Sequence, residues 1–113
     1  MKRVCKKLIK EDLDFGCCIF EKYRDERGYL HNSNGPASIK YENNNGIKGR
    51  KLEESYYVVG SYRKSTQDNI MPAIIVYNKN SVSAMALFQD LDTHWKLGWR
   101  TIHLVDNEWR IKN

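Results

Sequence analysis

The chain has little of several things. It holds two prolines, three cysteines and seven glycines in 113 residues, and no apolar stretch approaches the ~20 residues that a membrane-spanning helix needs. From Met1 to Lys10 it carries Lys2, Arg3, Lys6, Lys7 and Lys10, where a secretory leader needs an apolar centre. A cytoplasmic protein with no membrane partner is the expectation. Cys5, Cys17 and Cys18 cannot all pair, and a disulfide between adjacent Cys17 and Cys18 would be strained. None of them stands in a C-x-x-C or near a histidine at zinc-ligand spacing, so neither a disulfide framework nor a metal site is expected. The thiols read as small apolar core residues of a reduced protein. No G-x-S-x-G occurs, and Gly46 and Gly49 bracket only Ile47 and Lys48, which is no phosphate loop. No cofactor is implied. A chain of this length makes one domain, residues 1–113, and a two-domain enzyme is excluded.

What is present is positive charge and aromatic side chain. Nineteen Lys and Arg against fourteen Asp and Glu give a formal charge of +5, which favours an acidic partner over a basic one. The surplus lies in residues 1–80, with a local run at Lys48, Arg50 and Lys51. Residues 81–113 are balanced.

Residues 2–13 read as a short N-terminal helix, because Val4, Cys5, Leu8 and Ile9 make one narrow apolar stripe among lysines. Residues 17–24 have strand composition, and Asp25-Glu26-Arg27-Gly28 reads as a turn in which Gly28 supplies positive φ. The most informative feature is a repetition. Residues 36–41 (PASIKY) and 72–77 (PAIIVY) share P-A-x-I-x-Y, and each copy follows a glycine with an aromatic and a basic residue, Gly28-Tyr29-Leu30-His31 and Gly60-Ser61-Tyr62-Arg63. The internal hairpin repeat spans 28–59 and 60–80, and the extra residues of the second unit fall within Lys64–Met71, as a loop insertion. Proline lacks an amide donor and so starts a strand, which places Ala37, Ile39 and Tyr41 on the core face, and their counterparts likewise. Ile74 and Val76 then need cover from the other side. Tyr41–Gly46 (YENNNG) and Ser55–Gly60 (SYYVVG) read as strand and tight turn. Ala84, Phe88, Leu91 and Trp95 recur at helical spacing, so residues 81–97 read as an amphipathic helix capped by Asn80 or Ser81, ended by Gly98, and laid on Ile74 and Val76. Trp99–Val105 and Glu108–Ile111 alternate as two strands about an Asp106-Asn107 turn. The expected fold is α+β and mainly β: an antiparallel meander of six to eight strands with one packed helix and the short N-terminal one.

The pattern G-x-L-H-x-x-x-G-P-A-x-I-x-Y, an Asn-Gly turn, Tyr-Tyr-x-x-Gly and a second unit resembles the DGPA-type hairpin repeats, akin to variant MORN repeats, of small phage and large-virus proteins. It covers residues 28–80, with Asn32 and Asn34 where that family commonly has Arg and Asp. The resemblance implies stacked hairpins, a binding role without a shared active site, and a phage accessory protein that blocks a host factor such as a defence protein.

Catalytic readings are thin. His31 and His103 with Arg63 or Lys64 contain the groups of a metal-independent nuclease, yet no spacing makes them converge, and His94 stands at a helix rim. Glu53-Glu54 and Asp90/Asp92 are ordinary charged neighbours. Tyr23, Tyr29, Tyr41, Tyr56, Tyr57, Tyr62 and Tyr77, interleaved with basic residues, suit a nucleic-acid-stacking face as an alternative, and the same groups suit sequestration of a nucleotide-like anion. Protein binding ranks first: an incompletely covered sheet with Trp95, Trp99 and Trp109 is interface material, including for a homodimer. The expected contact residues are Arg24, Arg27, Tyr29, His31, Lys48, Arg50, Lys51, Tyr62, Arg63 and Lys64, facing a host protein with an acidic or nucleic-acid-binding surface.

Overall fold

A computed structural model describes residues 8–65, 70–79, 82–90 and 98–112, and within them every regular element is a strand. In chain order these are β1 (Ile9–Asp14), β2 (Cys18–Arg24), β3 (Ser38–Asn44), β4 (Ile47–Ser55), β5 (Tyr57–Val58), β6 (Ser61–Tyr62), β7 (Lys64–Ser65), β8 (Ile74–Tyr77), β9 (Ser83–Asp90), β10 (Gly98–Val105) and β11 (Glu108–Ile111). One antiparallel sheet runs β1-β2-β3-β4-β8-β9-β10-β11. Short β7 lies parallel to the end of β9, and β5 and β6 form a separate ribbon.

The fold is therefore all-β, not α+β. Ser83–Asp90, expected to be helical, is a strand between β8 and β10, while Asn80, Ser81 and residues 91–97 of the expected helix lie outside the described residues. The error has a clear source. Positions four apart coincide in a helix and in a strand, so Ala84 and Phe88 fit either period; Ala86 decides, being buried between them on the same face. Because β9 extends the sheet sideways it gives Ile74 and Val76 a neighbour, not a lid, and both are half-buried. Gly98 opens β10 instead of ending a helix. The expected helix at 2–13 fails likewise. Ile9–Asp14 pairs with β2 from Ile9↔Arg24 to Asp14↔Ile19, and residues 1–7 lie outside the described residues. Of the thiols, Cys18 is buried but Cys17 is exposed.

The turns follow local chemistry. Asn45-Gly46 and Asp106-Asn107 both take the left-handed backbone that a two-residue hairpin requires, with φ of 56°, 86°, 52° and 66°.

One face carries the repeat. Ala37, Ile39, Ala73, Ile75, Ala84, Ala86, Phe88 and Ile102 are buried on it, with Tyr77, Trp109 and Ile111 packed alongside. The two P-A-x-I-x-Y segments occupy equivalent sites. Ala37 donates to Ser55 O and accepts from Tyr23 N, and Ala73 donates to Leu87 O and accepts from Tyr56 N. The same face reaches β4 through two bulges. Ile39↔Glu54, Tyr41↔Lys51 and Asn43↔Lys48 pair across β3 and β4, so β4 uses one more residue than β3 on each side of Lys51. Lys48, Lys51 and Glu54, three apart in sequence, thus point to one side. Gly49 sits in a bulge, where a Cβ would fall 2.4 Å from the Asn44 side-chain nitrogen.

Candidate functional site

Two buried carboxylates organise the repeat face. Glu21 on β2 accepts from Lys48 Nζ at 2.6 Å and from the Tyr23 hydroxyl at 2.5 Å, with Lys10 Nζ at 3.8 Å. Glu54 on β4 accepts from Lys51 Nζ at 2.9 Å, the Tyr56 hydroxyl at 3.2 Å and the Tyr77 hydroxyl at 2.5 Å. The repeat is thus longer than P-A-x-I-x-Y. It begins at E-x-Y, Glu21-Lys22-Tyr23 and Glu54-Ser55-Tyr56, and each Glu faces the isoleucine of its unit, Ile39 or Ile75. Burial raises the Glu21 pKa, but the bonds from Lys48 and Tyr23 outweigh it and hold the carboxyl below its ordinary value. The bond to Glu21 raises Lys48 and pushes Tyr23 up to about 12. Burial, then Glu54, pushes Tyr56 up to about 12 and raises Tyr77 as well.

Beyond each E-x-Y the chain turns, and the two turns stack at one corner of the sheet. In the first, Asp25 is buried and its Oδ1 accepts from the Arg27 and Tyr29 amides at 2.9 and 3.0 Å, while Arg27 Nη2 reaches Oδ2 at 3.3 Å. His31 N then returns to Tyr23 O. In the second, Arg63 N returns to Tyr56 O in the same way, so His31 and Arg63 are equivalent positions. The turns are joined by Asn32 N to Tyr57 O, Gly60 N to Leu30 O and Val59 N to His31 Nδ1 at 3.0 Å. The Tyr29 ring covers Gly60, where a Cβ would lie 3.1 Å from it, and stacks under the Arg27 guanidinium at 5.1 Å.

The second tip differs from the first in its residues. Val58-Val59-Gly60 replaces the Asp25-anchored turn, and Val59 has φ of 47°, a left-handed backbone that β-branched residues strongly disfavour. Val58 and Val59 are 44% and 42% exposed and Tyr29 49%. The other left-handed turns among the described residues use Asn, Asp or Gly, at Gly16, Gly28, Asn45-Gly46 and Asp106-Asn107. Sequence reasoning treated SYYVVG as one more turn and passed over Val58 and Val59; the signal available was Val-Gly where Asn-Gly belongs.

The expected contact residues do not form one surface. Arg27, Tyr29, His31 and Tyr62 meet at the corner, Tyr62 stacked on Tyr57 with ring centroids 4.6 Å apart. Arg24 lies at the edge, bound to Glu11 Oε1 at 2.9 Å and to Gly28 O. Lys48 is held by Asp12 and Glu21, Arg50 by Glu42, and Lys51 by Glu54. Arg63 turns toward the sheet, over the Tyr56 ring at 3.9 Å, and Lys64 is exposed on β7. Of the seven basic residues among them, Arg24, Arg27, Lys48, Arg50 and Lys51 are thus paired with neighbouring carboxylates. His103 lies on β10, opposite Arg110, while His31 is committed to the corner; the structure does not bring the two together. No group of three or more His, Cys, Asp or Glu suited to a metal occurs among the described residues, and among them no helix is long and apolar enough to cross a membrane.

The corner makes a prediction about pH. Burial raises the Asp25 pKa, yet the Tyr29 and Arg27 amides and the Arg27 guanidinium prevail and hold it below its ordinary value of 3.8. A carboxyl depressed in the folded state stabilises the protein at neutral pH and loses that contribution as pH falls through its folded value. Melting temperature should therefore drop on acidification below about pH 4, and Asp25→Asn should start lower and show a shallower drop. An unchanged acid limb in the variant would remove Asp25 from the account.

Compared with family models, curated proteins and solved structures, the chain matches none of them.

Proposed function

We propose that this chain is a small non-enzymatic binding protein that docks a partner protein through the Val58-Val59 tip, flanked by Tyr29 and Arg27. The observation that carries the reading is Val59: a β-branched residue held in a left-handed turn and kept half-exposed to water. Backbone strain of this kind amounts to about 1–3 kcal/mol, and an exposed valine gains nothing from the fold in return. Apolar side chain at a rigid tip, beside an arginine stacked on a tyrosine, is what an interface centre uses. The partner this chemistry fits offers a shallow apolar depression rimmed by carboxylates. Resemblance to the viral hairpin repeats at 28–80 supports an accessory protein that blocks a host protein in this way.

The test separates stability from binding. Val59→Asn should raise the melting midpoint, gaining about 1 kcal/mol as the strain is relieved. Val58→Ser together with Val59→Asn should retain that stability and lose the partner, at least tenfold in affinity by the ~1–2 kcal/mol that an anchor residue contributes. The partner is the stoichiometric protein retained from nuclease-treated host lysate by the unmodified chain. Equal retention by the double variant overturns the reading. Bound material that vanishes with nuclease makes nucleic acid the partner, and association of the chain only with itself makes a second copy the partner.

A further inference from the structure

A cavity of about 470 Å³ opens on the repeat face, away from the Val58-Val59 tip. Buried Ile75, Phe88 and Ile102 line it, and Tyr56 and Trp109 add aromatic walls. The size falls within the ~300–1,000 Å³ of small-molecule sites, and the mix of apolar lining with few polar groups is typical of them. Trp109 is fixed by an edge contact with Tyr77, ring centroids 5.9 Å apart. Two arginines also line it: Arg110, which is paired with Glu108 at 3.0 Å, and Arg63. Arg63 Nε and Nη2 both donate to Pro72 O, at 3.0 and 2.7 Å, and its guanidinium sits over the Tyr56 ring, 3.9 Å from the centroid.

Among the described residues no carboxylate forms an ion pair with Arg63, in contrast to Arg24, Arg27, Lys48, Arg50, Lys51 and Arg110. Glu54, on the same face, is already engaged by Lys51, Tyr56 and Tyr77. Burial pulls the Arg63 pKa down from its ordinary value, and the nearby Tyr56 and Glu54 only partly oppose it. A guanidinium stacked on an aromatic ring and anchored along one edge keeps its other edge free to grip an oxyanion with two hydrogen bonds.

We infer that this cavity binds a small acid, one with a flat apolar body that fills the space between Tyr56, Trp109 and Phe88 and a carboxylate or phosphate head on Arg63. The equivalent position of the first unit is His31, whose Nδ1 is spent on Val59 N, so the site belongs to the second unit. The site is independent of the hairpin tip, and either proposal can stand without the other.

The experiment uses three probes: naphthoate, its uncharged counterpart naphthalenemethanol, and adenosine monophosphate. Each is titrated into the labelled protein while the Trp109 indole N–H is followed by NMR, assigned with Trp109→Phe. Naphthoate should bind at one site, at least about tenfold more tightly than the alcohol, as expected when a charge-assisted pair forms. Arg63→Met, which keeps apolar packing on Tyr56, should abolish that preference while leaving alcohol binding in place. Arg63→Lys should restore part of it. Arg63-dependent binding of adenosine monophosphate would extend the head group to phosphate, and its failure beside bound naphthoate would narrow the site to carboxylates. Equal affinity for naphthoate and the alcohol, or no shift of the Trp109 signal with any probe, overturns the inference.

Discussion

Replacing Glu54 with alanine should lower the free energy of unfolding by about 3 kcal/mol, the loss typical when one partner of a buried ion pair is removed. The carboxylate is 6% exposed and satisfies three donors at once: Lys51 Nζ and the hydroxyls of Tyr56 and Tyr77. Without it both hydroxyls lose their acceptor on the buried face, and each unsatisfied polar group costs about 1–3 kcal/mol. Lys51 recovers most of its loss because it is partly exposed and can turn to water. The dependence has a characteristic shape. Tyr77→Phe alone should cost about 1 kcal/mol, and adding it to Glu54→Ala should cost less than the sum, since the hydroxyl is already orphaned. Urea unfolding of the four members of that cycle measures the coupling. A Glu54→Ala loss under about 1 kcal/mol, or strict additivity, would show that the carboxylate is not the hub of the second unit.

How far these features were legible depended on whether their cause was local. The Asn45-Gly46 and Asp106-Asn107 turns were readable because two adjacent residues determine the backbone there. The P-A-x-I-x-Y pair was readable as a repeat, and both alanines take equivalent buried positions. The E-x-Y half of the same repeat escaped notice because its meaning is non-local. Glu54 gains its role from Tyr77 on β8 and from Lys51, which the bulge between Lys51 and Glu53 swings onto its face. In an unbulged strand Lys51 and Glu54, three apart, would point to opposite sides, so alternation argued against the contact that forms. Ala84 and Phe88, four apart, satisfied a helical reading that only the burial of Ala86 dissolves.

The basic residues teach the same lesson. Summed along the chain, Lys48, Arg50, Lys51 and Arg24 look like a surface waiting for an acidic partner. Lys51 takes Glu54 from its own strand, but the other three take counter-ions from other strands: Asp12 and Glu11 on β1, Glu21 on β2 and Glu42 on β3. Reading residues 2–13 as a lysine-rich helix hid two of those carboxylates, because only a paired β1 carries Glu11 to Arg24 and Asp12 to Lys48. What remains distinctive among the described residues once the pairs are matched is small: an apolar tip at Val58-Val59 and, at Arg63, a guanidinium outside any ion pair. Neither is visible as composition. Each becomes visible by comparing the two units position by position, since the first unit has an anchored Asp25 turn where the second has the valines, and His31 where the second has Arg63.

The same-strand pair Ser83 and Ala84 gives the most direct test of the architecture. Ala84→Asp should destabilise the protein by about 3–5 kcal/mol, enough to unfold a domain of ordinary marginal stability, whereas Ser83→Asp should fall within about 0.5 kcal/mol of the parent. Ala84 is fully buried between Tyr77 and Ile102, beside Ile75 and Phe88, and a carboxylate there would meet apolar side chains and a tyrosine hydroxyl already given to Glu54. Ser83 points to the opposite face, across from His103, and its Oγ accepts from Asn78 Nδ2 at 2.7 Å, a bond an aspartate can also accept. A helix beginning at Asn80 or Ser81 makes the contrary demand: residues 83 and 84 would both lie in its first turn, where acidic side chains favour the positive end of the helix dipole. Similar small effects from the two substitutions would therefore return this segment to a helix, while a loss confined to Ala84→Asp follows from the alternation of a strand with one buried face.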